Sequence, residues 1–367
     1  MSQLQVNRIN DASGGVLAPI SSVMRNRIIN GAMVIDQRNA GASITAAISP
    51  TYTVDRFYYA FTQSGKVNLQ QNLGSVTPPN GYKNYFGFNT ASVYTPLAGD
   101  NFVFVQSIEG YNIADLGWGT ANAKTVTLSF WVRSSLTGTW GGSIYNNGGI
   151  RSYPFSYTIN SANTWEQKSI TIAGDTSGTW ESTNGQGINL VFSIGTGSTF
   201  KGAPGAWGST LYTAPTGQTN LLGTSGATWY VTGVQLEVGT QATSFEYRQY
   251  QQELALCQRY CEIVTTPGGF SPLFFGQAIN ASDLQAIHNY TVQKRASATL
   301  IFSGLANTVL LSATGGGTTS PTGASMSTGT QRTRVTFTGG SGLVAGNACQ
   351  LADNNSTAPL FIFSAEL

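Results

Sequence analysis

The side chains that carry most enzyme chemistry are scarce in this sequence. One histidine, three cysteines and sixteen Asp and Glu are spread over 367 residues. A single imidazole removes most His-dependent acid–base and nucleophilic schemes at once. That residue, His288, falls in a strand pattern beside Asn289 and Tyr290 and reads as structural or surface-lying. Cys257 and Cys261 stand four apart on one helical face, a spacing that could supply two metal ligands. No second pair follows and Cys349 is distant, so small buried residues are the better reading, and no metal or cofactor is expected. Glycoside hydrolysis needs two carboxylates about 5–10 Å apart, and Asp100, Asp115, Asp175 and Glu181 sit at turn or strand-end positions that single out no pair. The loop GTGSTFKG (195–202) lacks the Gly-Lys-Ser/Thr ending that holds phosphates, and no dinucleotide fingerprint is present. No catalytic residue is expected.

The seven tryptophans are the remaining chemical signal. Trp131 and Trp229 lie inside strand patterns and Trp165 just before one, which reads as core packing. Trp118, Trp140, Trp180 and Trp207 lie in Gly-rich stretches, where a large ring is costly unless covered. Aromatic faces stack on the C–H faces of sugars, so these four are the candidate glycan-binding residues. Burial against a neighbouring chain is the competing reading and leads slightly.

The elements that would position them are strands. VDRFYYAF (54–61), NFVFVQSI (101–108), TVTLSFWVRSS (125–135), QKSITI (167–172), INLVFSI (188–194) and TWYVTGVQLEV (228–238) combine β-branched and aromatic enrichment with alternation. Loops such as SVTPPNG (75–81), TWGGSIYNNGG (139–149) and GTGSTFKGAPGAWG (195–208) separate them. This predicts a mainly β chain: a jelly-roll sandwich over 25–242, then a short connecting helix over 243–264, then a smaller β-domain over 265–367. Strands of that last domain are read at 284–293, 298–304, 331–340 and 358–367, with a Gly/Ser/Thr tip at 314–330. Residues 1–24 read as an attachment arm in which LQVNRIND could form one strand.

After Gly239 the period changes. Tyr247, Tyr250, Leu254, Cys257 and Cys261 recur at spacings of three and four, a short seam, and Thr243 with Glu246 reads as the capping box that opens the helix. A seam without an evident intrachain partner predicts homo-oligomerisation.

Composition bounds the rest. Charged residues are 9% of the chain and the net charge is +2, too even for nucleic-acid binding, which needs a concentrated basic stripe. The start MSQLQVNRINDASGG has no apolar core of a signal peptide, and no apolar run approaches a membrane span. Three cysteines make no disulfide framework. Synthesis in a reducing cytoplasm, without membrane insertion, is the expectation.

VQLEVGTQATSFEYRQYQQELALCQRYC (234–261) closely resembles a segment recurrent in tailed-bacteriophage virion proteins of the tail-fibre and receptor-binding type. The family pattern runs Gln-Leu-Glu-x-Gly (here 235–239), Ala-Thr-x-Phe-Glu-x-Arg (242–248) and Glu-Leu-x-x-Cys-Gln-Arg-Tyr (253–260), with an aromatic next where this chain has Cys261. NRIINGAMVIDQRNAG with YTVDRFYY resembles the opening of such fibre domains, and TLSFWVRSS with NTWEQKSITIAGDTSGTW resembles a carbohydrate-binding-module jelly roll. The ending, TVQKRASATLIFSG with FIFSAEL, is similar to phage structural proteins too. The resemblance implies a non-enzymatic virion protein made in the host cytoplasm: a trimeric tail fibre bound to other tail proteins through 1–24 and touching host glycan. A capsid head fibre or decoration protein is the alternative address. A polysaccharide-degrading tailspike is the alternative of another class, although no β-helix rung repeat is evident.

Overall fold

The computed structural model describes residues 9–10, 16–17, 25–48, 50–313 and 319–367. The expected arm therefore lies outside the described residues except for Ile9–Asn10 and Val16–Leu17, which pair antiparallel. Residues 314–318 of the expected tip lie outside them as well; within the rest of it, Gly323–Met326 is a strand. Cα proximity divides the chain into a unit ending at Tyr250 and a unit Gln251–Glu366.

The first unit is a jelly-roll sandwich of two six-stranded antiparallel sheets. One sheet runs Ser152–Ile159, Gly138–Asn146, Gln186–Thr196, Asn101–Glu109, Phe57–Phe61, Thr51–Tyr52; the other runs Glu166–Ile172, Val126–Ser134, Thr228–Val238, Phe86–Thr90, Val67–Gln71, Ile44–Thr45. Alternation aims one row of each strand inward. Phe57, Tyr59 and Phe61 are buried between the sheets with Phe102, Phe104, Phe86, Phe88, Phe130, Phe192 and Trp229. Phe86 and Phe104 stack at 4.9 Å, while Phe88 meets Phe104 edge-on at 5.1 Å, the offset and perpendicular geometries that ring quadrupoles favour.

TWGGSIYNNGG, expected as a loop, supplies most of the strand Gly138–Asn146, second from the edge of its sheet. Gly141 and Gly142 look like breakers, yet crowding is what requires them. A Cβ on Gly142 would lie 1.8 Å from the Val191 carbonyl oxygen, and one on Gly141 would lie 2.1 Å from that of Phe155 and 2.6 Å from Pro215 Cγ. Backbones approach here more closely than any side chain allows.

The connecting helix is shorter than expected, Tyr250–Gln258, and Thr243–Glu246 is not its capping box. Thr243 instead donates through its amide (2.8 Å) and hydroxyl (2.6 Å) to the Glu237 carboxylate. Glu246 accepts from the Asn26 amide at 2.7 Å, and Arg248 donates to the Asn26 and Ile28 carbonyls. Asn26 also bonds Val234 and Leu236 through its side chain. Capping-box residue types are equally good partners for any unpaired backbone group, and here they clasp residues 25–36 onto the end of the Thr228–Val238 strand.

The second unit is also β. Its six-stranded sheet runs Thr308–Ser312, Ala348–Asp353, Pro272–Ala278, Leu284–Asn289, Arg332–Thr338, Gly323–Met326, and its three-stranded sheet runs Cys261–Thr265, Leu360–Ser364, Thr299–Ser303. Phe274, Phe337, Phe361 and Phe363 form its core. No helix among the described residues is long and apolar enough to cross a membrane.

Candidate functional site

Three of the four candidate tryptophans come together, but on one another. Trp118 and Trp180 meet at 4.7 Å, Trp118 and Trp207 at 5.3 Å, Trp180 and Trp207 at 5.5 Å, all near perpendicular. Tyr153 adds a fourth edge contact to Trp207 at 5.3 Å. The three indole N–H groups donate to the carbonyls of Lys124, Ser177 and Ala173. Trp118 is 6% exposed and Trp180 and Trp207 are partly buried against the same core. Beside them Arg151 forms a two-pronged pair with Asp175 at 2.6 and 2.7 Å, so this expected turn carboxylate is a buried anchor. The cover anticipated from a neighbouring chain is supplied within the chain. Trp140 is a correction: it lies in a strand, 0% exposed, with its side chain in the sandwich core, and offers no surface to a sugar.

The expected seam is also dispersed. Tyr247 precedes the helix, meets Phe245 edge-on (4.9 Å) and Tyr82 at a tilt (5.6 Å), and donates to the Gly81 carbonyl. Tyr250 opens the helix at 61% exposure, Leu254 is partly buried, Cys257 is buried, and Cys261 has left the helix for the strand Cys261–Thr265. The five residues do not share one helical face. The three cysteines are buried, and no group of three or more His, Cys, Asp or Glu among the described residues could hold a metal ion. His288 faces Glu262 at 3.4 Å and stacks on Phe363 at 4.4 Å. Glu262 also receives the buried Lys294 ammonium at 2.6 Å. Burial alone would raise this carboxyl, but His288, Lys294 and the Thr291 amide bring it down to about 2.

A second aromatic face is the outer side of the sheet containing Phe57–Phe61. Alternation that sends Phe57, Tyr59 and Phe61 inward sends Tyr58 and Ala60 outward. Tyr58 stands opposite Val105, Val105 opposite Val191, and Val191 opposite Ser143. Val103, Val105 and Val191 form an apolar floor against which the partly buried Tyr58, Ala60 and Tyr145 pack. Tyr52 extends the row, its ring 5.3 Å from that of Tyr58.

The next row is polar: Ser107 opposite Asn189, and Asn189 opposite Tyr145. Ser107 donates its hydroxyl to Asn189 Oδ1 at 2.7 Å, and Gln186 Nε2 donates both to that oxygen (2.6 Å) and to the Ser107 hydroxyl (2.8 Å). Arg56 donates to the Ser107 carbonyl at 2.6 Å. Asn189 is 1% exposed, and its Nδ2 has no hydrogen-bond partner among the described residues. Burial pushes the Tyr58 hydroxyl up, opposed by Ser107 and Arg56; burial and then Tyr58 push Tyr145 up further. Both are neutral hydroxyls at physiological pH. Sequence reading missed this face. The signal available was the doubled tyrosine of FYYAF, whose second ring must point opposite to its first.

Among solved structures, the chain is similar to the enzymatically active domain of bacteriophage CBA120 tailspike protein 4, at 11% identity and a TM-score of 0.30 over 59% of this chain and 22% of that one. It is also similar to a CBM4 structure (16%, 0.29, over 57% and 98%) and to the tandem CBM22-1–CBM22-2 domain of Paenibacillus barcinonensis Xyn10C (11%, 0.24, over 90% and 99%). The chain thus spans about a fifth of the tailspike fragment. No protein-family model matches the sequence, and no curated protein does. At these identities and scores the jelly roll is established by its own sheets and register.

Proposed function

We propose that this chain is a non-catalytic attachment protein of a tailed-phage virion, whose first unit meets host-surface glycan with the outer face around Tyr58 and Tyr145. The observation that carries the reading is that face: partly buried rings over an apolar floor, bordered by uncharged hydrogen-bonding side chains. Sugars need this pairing of an aromatic surface with directed polar groups. The phage assignment is supported by the 234–261, 26–41 and 52–59 segments, the first two of which meet in the clasp at Asn26, Glu246 and Arg248. In this reading the protein is a tail fibre, trimeric, made in the host cytoplasm and attached to the tail through 1–24. Tyr247 and Tyr250 are the surface-available members of the expected seam.

Adsorption of the purified protein to host cells and to their extracted polysaccharide tests this. Wild type binds, and Tyr58→Ala weakens binding about tenfold, roughly 1.4 kcal/mol, while the variant keeps its fold by circular dichroism. Equal binding by both proteins sinks the assignment of the face. Release of reducing sugar from the polysaccharide overturns the non-catalytic reading, a monomer at micromolar concentration removes the trimer, and immunogold label on heads rather than tails moves the address.

A further inference from the structure

The pair Asn-Gly occurs four times, at 30–31, 80–81, 147–148 and 184–185. In this pair the main chain most readily attacks a side chain, because glycine has no Cβ to shield its own nitrogen. The fold treats the four copies differently. Asn30 is 1% exposed and its carboxamide is fully engaged. Nδ2 donates to the Ile35 and Asp55 carbonyls at 2.8 and 3.0 Å, and Oδ1 accepts from the Val34 and Ile35 amides at 2.8 and 2.9 Å. Asn184 is exposed, but the carbonyls of Thr183 and Gly185 on either side of it are held by the Tyr111 and Gly110 amides at 2.7 and 2.9 Å.

Asn80 and Asn147 lie exposed in tight turns, each closed by one bond: Tyr82 N–H to the Pro79 carbonyl and Gly149 N–H to the Asn146 carbonyl, both 3.0 Å. Neither carboxamide, and neither following glycine amide, has a hydrogen-bond partner among the described residues. Around Gly148 the space is open, since a Cβ there would meet nothing within 4 Å. Bringing the glycine nitrogen onto the side-chain carbon costs at most the closing bond of the turn, whereas at Asn30 it breaks four bonds inside the protein. We propose that Asn80 and Asn147 are sites of spontaneous deamidation, and that Asn30, in the same dipeptide, is protected by the fold.

The glycine nitrogen gives its proton to hydroxide and bonds to Asn Cγ. The Cγ–Nδ2 bond breaks, and Nδ2 leaves as ammonia with a proton from water. Water then opens the succinimide at either carbonyl, giving aspartate or isoaspartate. The isoaspartyl product at 80 adds a methylene to the main chain within the Pro79–Tyr82 turn. That turn carries the Gly81 carbonyl to which Tyr247 donates at 3.0 Å, and the Tyr82 ring 5.6 Å from that of Tyr247. Conversion at both sites takes the formal net charge from +2 to zero, where self-association is favoured.

The test is peptide mapping by mass spectrometry of full-length protein held at mildly alkaline pH, folded and in urea. In the folded protein, Asn80 and Asn147 are expected to convert at least about tenfold faster than Asn30, whose reaction waits for local opening, with Asn184 between them. In urea the four are expected to converge to within about threefold, because protection supplied by the fold is lost with it. Asn80→Ser combined with Asn147→Ser is expected to stay a single charge form on ion exchange. Equal rates at Asn30 and the two turn sites in folded protein overturn the proposal, as does a ranking that urea leaves unchanged. Acidic forms that still accumulate at the wild-type rate in the double variant overturn it too.

Discussion

Two aromatic regions of the first unit look alike in composition and differ in what they have left to offer. At one, Trp118, Trp180 and Trp207 meet edge to face, and each indole N–H is bonded to a carbonyl of the chain itself. At the other, Tyr58 and Tyr145 lie over three valines beside an Asn189 amide that no described residue satisfies. The first region is the richer in tryptophan, the residue usually sought for sugar binding, and its indole N–H groups are all spent within the chain. Ring count alone is therefore a poor guide to a binding face; the hydrogen-bonding capacity that the rings themselves keep is a better one.

The largest effect that separates the two regions comes from Trp118→Ala. Emptying the centre of the ring cluster is expected to cost about 3–5 kcal/mol in denaturant unfolding, while the folded fraction binds glycan as wild type does. Altered affinity in that folded fraction would make the tryptophan cluster part of the site and erase the distinction. Asp175→Asn comes next. It weakens a two-pronged charge-assisted pair with Arg151 and is expected to cost about 2 kcal/mol, again with unchanged affinity; a change in stability smaller than about 0.5 kcal/mol would show that the pair does not hold this loop. The smallest effect is one of pH. Burial keeps Tyr58 and Tyr145 protonated, so glycan affinity is expected to be flat from pH 5 to 8. A slope there would place a titrating group on the face. Stability follows other groups: Asp100 and Glu262 sit at about 2 when folded, below about 4 in the unfolded chain. Their contribution is present above about pH 4 and is lost as pH falls toward 2, which acid unfolding followed by fluorescence measures.

Much of the sandwich was legible in the sequence because alternation is a strong local signal. FYYAF, NFVFVQSIE and VTLSFWVRS each became a strand, although Trp131, read as core packing, is only partly buried. The strand through Gly141 and Gly142 was not legible, since the reason for those glycines is the close approach of Phe155 and Val191, residues distant in sequence. The helix start failed for a related reason: Thr243 and Glu246 have capping chemistry, but their partners, Glu237 and Asn26, are set by the tertiary fold. Trp140 shows the limit for site reading. Gly-rich surroundings suggested an exposed ring, and the same glycines proved to be the reason that its strand packs so tightly into the core.

The clasp at Asn26, Glu246 and Arg248 has a mechanical consequence. It places the entry of the first unit, near residue 25, beside its exit, near residue 248. A pull applied at those two points is met first by Asn26, Glu246, Arg248 and the Arg27–Leu236 backbone bond. Leu236 belongs to the Thr228–Val238 strand, so one of the two six-stranded sheets takes that load at the end of a single strand.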